Sequence, residues 1–109
     1  MRRELDELQF FSQNVCGLAE PKLDELLVFM REKKIFAYAI QETWRKESGT
    51  FEKDGFVIVS HGTGKKGHGV AIVMSKAAVR AWKAAGQYYK TFGSRVIAVN
   101  FKFETGSRN

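Results

Sequence analysis

At 109 residues the chain has room for one domain, and a composition that is 44 % hydrophobic and 13 % aromatic excludes intrinsic disorder. Eighteen Lys and Arg against twelve Asp and Glu leave a net charge of +6, a balance suited to a polyanionic partner. A single cysteine, Cys16, excludes an internal disulfide, and no apolar run approaches the ~20 residues of a membrane span. The opening "MRRELDELQF" sets acids where a signal peptide needs its apolar region, so the expected setting is intracellular, nuclear or cytoplasmic.

After a lead of residues 1–8, Gln9–Val15 ("QFFSQNV") reads as a strand and Cys16–Glu20 as a turn around Gly17. Pro21 suits the first turn of a helix, where its missing N–H costs nothing. Leu23, Leu26, Leu27 and Met30 then stand at 0, +3, +4 and +7, an apolar stripe that predicts a helix over Pro21–Lys34. Asp24 and Glu25 near its start, with Arg31, Lys33 and Lys34 at its end, match the helix dipole. The apolar run Ile35–Ile40 predicts a strand buried on both faces, which makes a β-α-β unit with a parallel pair. That run stops at Gln41 and Glu42, which puts a carboxylate at the mouth of a core strand.

Arg45–Asp54 reads as a polar loop, followed by strands at Gly55–Ser60 and Gly69–Ser75 around a glycine-rich connection. Lys76–Phe92 stays open between helix and irregular structure: Ala78, Trp82, Ala85 and Tyr89 keep helical spacing, but Gly86 interrupts and no strong cap precedes them. Arg95–Phe103 reads as a strand and Glu104–Asn109 as a polar tail. The aromatics Trp82, Tyr88 and Tyr89 are assigned to the core.

"HGTGKKGHG" (His61–Gly69) contains a G-x-G-x-x-G match, but a strand follows it and not the helix a dinucleotide site requires. A Walker A loop fails as well, because His68 stands where its lysine belongs. Two readings remain for this loop: a flexible connection with solvated lysines, or backbone N–H groups with Lys65 and Lys66 meeting nucleic-acid phosphates. His61 and His68 have no zinc-ligand spacing and read as solvated loop histidines.

In order, "NVCGL" (Asn14–Leu18), "IQET" (Ile40–Thr43), "KKGHGVAIVMSK" (Lys65–Lys76) and "GSRVIAVNF" (Gly93–Phe101) form a constellation. It resembles the endonuclease/exonuclease/phosphatase superfamily over about residues 9–103, and within it apurinic-type endonuclease domains such as those of non-LTR retrotransposons. The resemblance implies the N-terminal half of a four-layer α/β/β/α sandwich, an α/β (α+β) fold whose mixed sheet carries one main helix. By the same resemblance Glu42 is the ligand of a catalytic Mg (or Mn) ion, and Asn14 the catalytic asparagine beside it. Lys66, Gly67 and His68, with Lys65, belong to the loop that touches the nucleic-acid backbone, and Arg95 matches a family arginine. Cys16 departs from relatives that carry an acidic or amide residue there. The family's tyrosine-bearing loop, Gly-Asp-x-Asn strand end and Ser-Asp-His segment have no counterpart in this sequence.

The functional expectation is therefore part of a magnesium-dependent DNA endonuclease domain, inactive alone. Its rivals are a non-enzymatic nucleic-acid-binding remnant and a phosphatase of the same superfamily. One sheet face is expected to lie bare, available to the missing half of the domain or to self-association.

Overall fold

The computed structural model describes residues 8–93 and 95–103, so most of the N-terminal lead and the polar tail lie outside the described residues. The elements in chain order are β1 (Phe10–Asn14), α1 (Glu20–Lys33), β2 (Ala37–Gln41), β3 (Gly49–Lys53), β4 (Phe56–His61), β5 (Val70–Met74), α2 (Lys76–Ala84), β6 (Tyr89–Thr91) and β7 (Ile97–Val99). Strands β1 to β5 form one mixed sheet in the order β1-β2-β5-β4-β3, and β6 and β7 form a separate antiparallel pair. Only β1 and β2 run parallel in the larger sheet, with Asn14 opposite Gln41 at its upper end. The mixed α/β architecture expected from the sequence is the one observed.

The apolar stripe of α1 does what its spacing demands. Leu23, Leu26, Leu27 and Met30 are all buried against one sheet face, where they meet Tyr38, Ile40, Ile58 and Val73. The helix ends at Lys34, whose left-handed conformation (φ 57°) lets the N–H of the following Ile35 reach the Met30 carbonyl at 2.9 Å. Strands β4 and β5 are buried along nearly their whole length, because both sheet faces are covered there.

Two element assignments and one core assignment are corrected, and one open stretch is settled. The polar loop 45–54 contains β3, which pairs antiparallel with β4 across an Asp54–Gly55 turn with φ of 54° and 86°. Positive φ at both turn residues matches the right-handed twist of the flanking strands, which is why Asp-Gly favours such hairpins. Of the open stretch after Ser75, Lys76–Ala84 is a helix and Tyr89–Thr91 a short strand: the Ser75 hydroxyl accepts from the Ala78 N–H at 3.2 Å and caps α2. The predicted strand 95–103 shrinks to β7, because the Lys102 N–H donates to the Ala81 carbonyl of α2 (2.9 Å) while Phe101 and Phe103 pack on Phe36. Tyr88, assigned to the core, is 49 % exposed, whereas Trp82 is buried and donates its indole N–H to the Tyr88 carbonyl at 3.0 Å.

The second sheet face is not bare as a whole. Ala78, Ala81 and Trp82 of α2 cover Val57, Val59, Ile72 and Met74, and half-buried Tyr89, Ile97, Val99 and Phe101 extend that cover. What stays open is a groove of about 400 Å³ over β1 and β2, walled by Phe10, Ser12, Ala39, Ile72, Ala98 and Phe101 among others.

Candidate functional site

The C-terminal ends of the parallel pair β1 and β2 bring Asn14 and Glu42 together across 28 positions of sequence. The Asn14 Nδ2 donates to Glu42 Oε2 at 2.7 Å. The amide orientation follows from its other partner: the Cys16 backbone N–H, which can only donate, meets Asn14 Oδ1 at 3.1 Å. That turn claims the amide oxygen and leaves the nitrogen for the carboxylate. Cys16 Sγ also meets Oδ1, at 3.3 Å. Asn14 therefore aims Glu42 through its nitrogen, and its oxygen is committed to the Cys16 turn.

Glu42 is held in an uncommon backbone conformation. Cys16, Glu42 and Trp44 have φ of 49°, 59° and 58°, a cluster of non-glycine residues in the left-handed region at one end of the sheet. Such geometry survives only where neighbours over-determine it, and it concentrates at functional sites. Here two flanks clamp the segment. On one side the N–H groups of Gly17 and Leu18 donate to the carbonyls of Glu42 and Thr43 at 2.8 and 2.9 Å. On the other, the N–H groups of Thr43 and Trp44 donate to the carbonyls of Gly69 and His68 at 3.2 and 2.9 Å.

This clamp explains the glycine-rich loop. A Cβ on Gly69 would stand 2.2 Å from Thr43 Oγ1, and one on Gly62 would stand 2.0 Å from the Arg45 carbonyl oxygen. Those two glycines admit the segment that carries Glu42 and are structural. Between them, Lys65 and Lys66 are exposed, and a Cβ on Gly67 would meet nothing within 4 Å. The Lys66 ammonium lies 5.6 Å from the centre of the Trp44 ring. His68 takes part through its carbonyl, and His61 lies at the end of β4, 3.4 Å from the Ser48 hydroxyl.

The Asn14 hydrogen bond holds the Glu42 carboxyl below the ordinary carboxylate range, with partial burial opposing and Trp44, Cys16 and the charge of Arg95 adding smaller contributions. The buried Trp44 indole nitrogen has no hydrogen-bond partner among the described residues. At neutral pH Glu42 is thus an anion, suited to receiving a cation and unsuited to acting as a general acid.

A hard carboxylate oxygen fits magnesium, which keeps several waters and often takes only one or two protein carboxylates. Glu42 is the residue that would hold such an ion, with Asn14 fixing the carboxylate. Among the described residues no group of three or more His, Cys, Asp or Glu could hold a metal, so this is a partial donor set. Sequence reasoning brought out Asn14, Glu42, the lysine loop and Arg95, and it missed Trp44 and Thr43. Neither carries a spacing or composition signal; their importance comes from the clamp. No protein-family model matches the chain, and no curated protein is significantly similar to it.

Proposed function

We propose that this chain carries the Asn14–Glu42 part of the site of a metal-dependent phosphodiesterase, a DNA endonuclease of the endonuclease/exonuclease/phosphatase kind it resembles. The observation that carries this reading is the 2.7 Å hydrogen bond that fixes an ionised carboxylate at the ends of two parallel strands. A divalent ion bound there supplies Lewis-acid polarisation of a phosphoryl oxygen. Glu42 provides the anionic ligand, Asn14 keeps it aimed, and Lys65, Lys66 and Arg95 offset the charge of the nucleic-acid backbone.

Hydrolysis also needs a base for water and donors for the charged transition state. General acid–base help is worth ~10²–10⁴ in rate, and one charge-stabilising donor ~10²–10³. Neither group is present in the partial donor set, so the chain alone should show no detectable turnover. The partial set also favours a second reading, a nucleic-acid-binding module without activity.

Paramagnetic broadening by Mn²⁺ separates the two. The nuclease reading expects selective broadening of the Asn14 and Glu42 resonances, lost in Glu42→Gln while DNA binding persists. Broadening that ignores Glu42 would overturn the metal assignment and favour the binding module. Nicking of supercoiled DNA with magnesium by this chain, but not by Glu42→Ala, would show that the partial set suffices.

A further inference from the structure

From Gly55 to Phe103 the sequence contains no aspartate or glutamate. The acids of the described residues all precede Gly55, with Glu20, Asp24, Glu25 and Glu32 on α1 alone. The fold converts this division along the chain into a division in space. Helix α1 packs on one face of the sheet, and α2 with the β6–β7 hairpin packs on the other. Ion pairs follow the acids: Lys53 with Glu20 and Asp24, and Arg45 with Glu20 and Glu47.

The opposite layer holds six exposed cations: Lys76, Arg80, Lys83, Lys90, Arg95 and Lys102. None is ion-paired among the described residues. Lys76, Arg80 and Lys83 stand at 0, +4 and +7 on the outward side of α2, opposite buried Ala78, Ala81 and Trp82. They line about 10 Å of helix. On the hairpin, Lys90 and its cross-strand partner Ala98 are exposed, while Tyr89, Ile97 and Val99 pack inward. Lys102 is tied to α2 by its backbone hydrogen bond to Ala81. Arg95 adjoins the hairpin and adds its charge to the field at Glu42, which joins this layer to the candidate site.

A one-sign surface repels itself unless counter-charge settles on it. Apart from its cations the exposed positions of α2 are Ala77 and Ala84, and its apolar side is already spent on the sheet. An interfacial membrane helix needs that side free for lipid. Beside Lys90, Tyr88 and Phe92 are 49 % and 60 % exposed, flat surfaces on which bases can stack.

We propose that the layer formed by α2 and the β6–β7 hairpin is a nucleic-acid contact surface, separate from the Lys65–Lys66 loop, which binds phosphates through Lys76, Arg80, Lys83, Lys90 and Lys102. It goes beyond the phosphodiesterase reading, since it requires a polyanionic partner but neither a metal nor cleavage.

Filter binding of the 109-residue chain to labelled duplex and single-stranded DNA across a salt series tests this directly. Replacing Lys76, Arg80 and Lys83 together by Gln should weaken binding at low salt at least tenfold. It should also reduce the slope of log K against log salt by about 2–3, at ~0.9 per duplex phosphate. A Lys76→Arg/Lys83→Arg variant should bind as the parent does, which separates charge from folding. Mn²⁺ broadening at Glu42 is measured on the parent chain without DNA, so loss of the metal assignment and loss of this surface are read independently. An unchanged slope in the triple variant with a parent-like circular dichroism spectrum would overturn the proposal. So would the arginine variant failing with it, or binding to phosphatidylserine vesicles without binding to DNA.

Discussion

The segment Glu42–Trp44 and the residue Gly69 occupy nearly the same space, and the fit between them has a measurable price. Alanine at Gly69 meets both a φ of 99° and Thr43 Oγ1 at 2.2 Å. Left-handed strain and overpacking are each worth ~1–3 kcal/mol, so Gly69→Ala should lose about 2–6 kcal/mol in urea unfolding. Gly67 shares a positive φ (82°) but has nothing within 4 Å, so Gly67→Ala should cost much less. Equal losses at the two positions would mean that the clamp on Thr43 is not tight. From the sequence alone, the two glycines are indistinguishable members of one loop. Sequence reasoning singled out Glu42 because it follows the apolar run Ile35–Ile40, and Asn14 because with Glu42 it matches a family pattern. Their hydrogen bond was not, because it depends on the register of β1 on β2 and on a turn that claims the amide oxygen.

Among the elements, α1 was readable because its stripe, its proline and its charge order all agree. Helix α2 was not, because Ser75 ends one strand and caps the next helix in the same position. Strand β3 has a single large apolar residue, Phe51, and the Asp54–Gly55 dipeptide was the available sign of its hairpin. That strand is also tied to α1, since Lys53 bonds Glu20 and Asp24 at 3.0 and 3.3 Å. Hydrogen bonds from Arg45 and then Lys53 lower the Glu20 carboxyl below its ordinary value of 4.5. A group lowered in the folded state stabilises above its unfolded pKa, and that contribution disappears as pH falls through the folded value. Lys53 is shifted upward from 10.5, chiefly by Glu20, so its contribution is complete below 10.5 and is lost as pH climbs through the folded value. Glu20→Gln should therefore be less stable than the parent at neutral pH and converge with it in acid. The gap should be small, because the Glu20 side chain is 55 % exposed and water screens it. A gap that persists undiminished in strong acid would assign the effect to packing.

For the molecule as a whole, the covered and open parts of the second sheet face matter more than the number of layers. The half over β4 and β5 is sealed by α2 and the hairpin, and the half over β1 and β2 is a groove with Phe10 55 % and Phe103 48 % exposed beside it. Strand β1 is exposed at every position, carries no charge and pairs on one side only. Monomers seldom leave apolar patches above ~300–600 Å² uncovered. Sedimentation velocity should accordingly show association that rises with concentration and weakens in Phe10→Ser. A single monomeric species throughout would show that the groove is closed by some other part of the chain. This division of the face was beyond sequence reasoning, because α2 had not been recognised as a helix and its cover could not be counted.

Trp44 gives the chain an optical property. Its ring covers Gly17, carries the Lys66 ammonium on one face and has an indole N–H without a partner among the described residues. The other tryptophan, Trp82, is 3 % exposed and hydrogen-bonded within the core. In a Trp82→Phe variant the remaining emission comes from beside Glu42. It should be quenched by Mn²⁺ at the carboxylate and should shift in wavelength when a polyanion draws Lys66 off the ring. Intensity would then report the ion and colour the nucleic acid, in one sample and without a label.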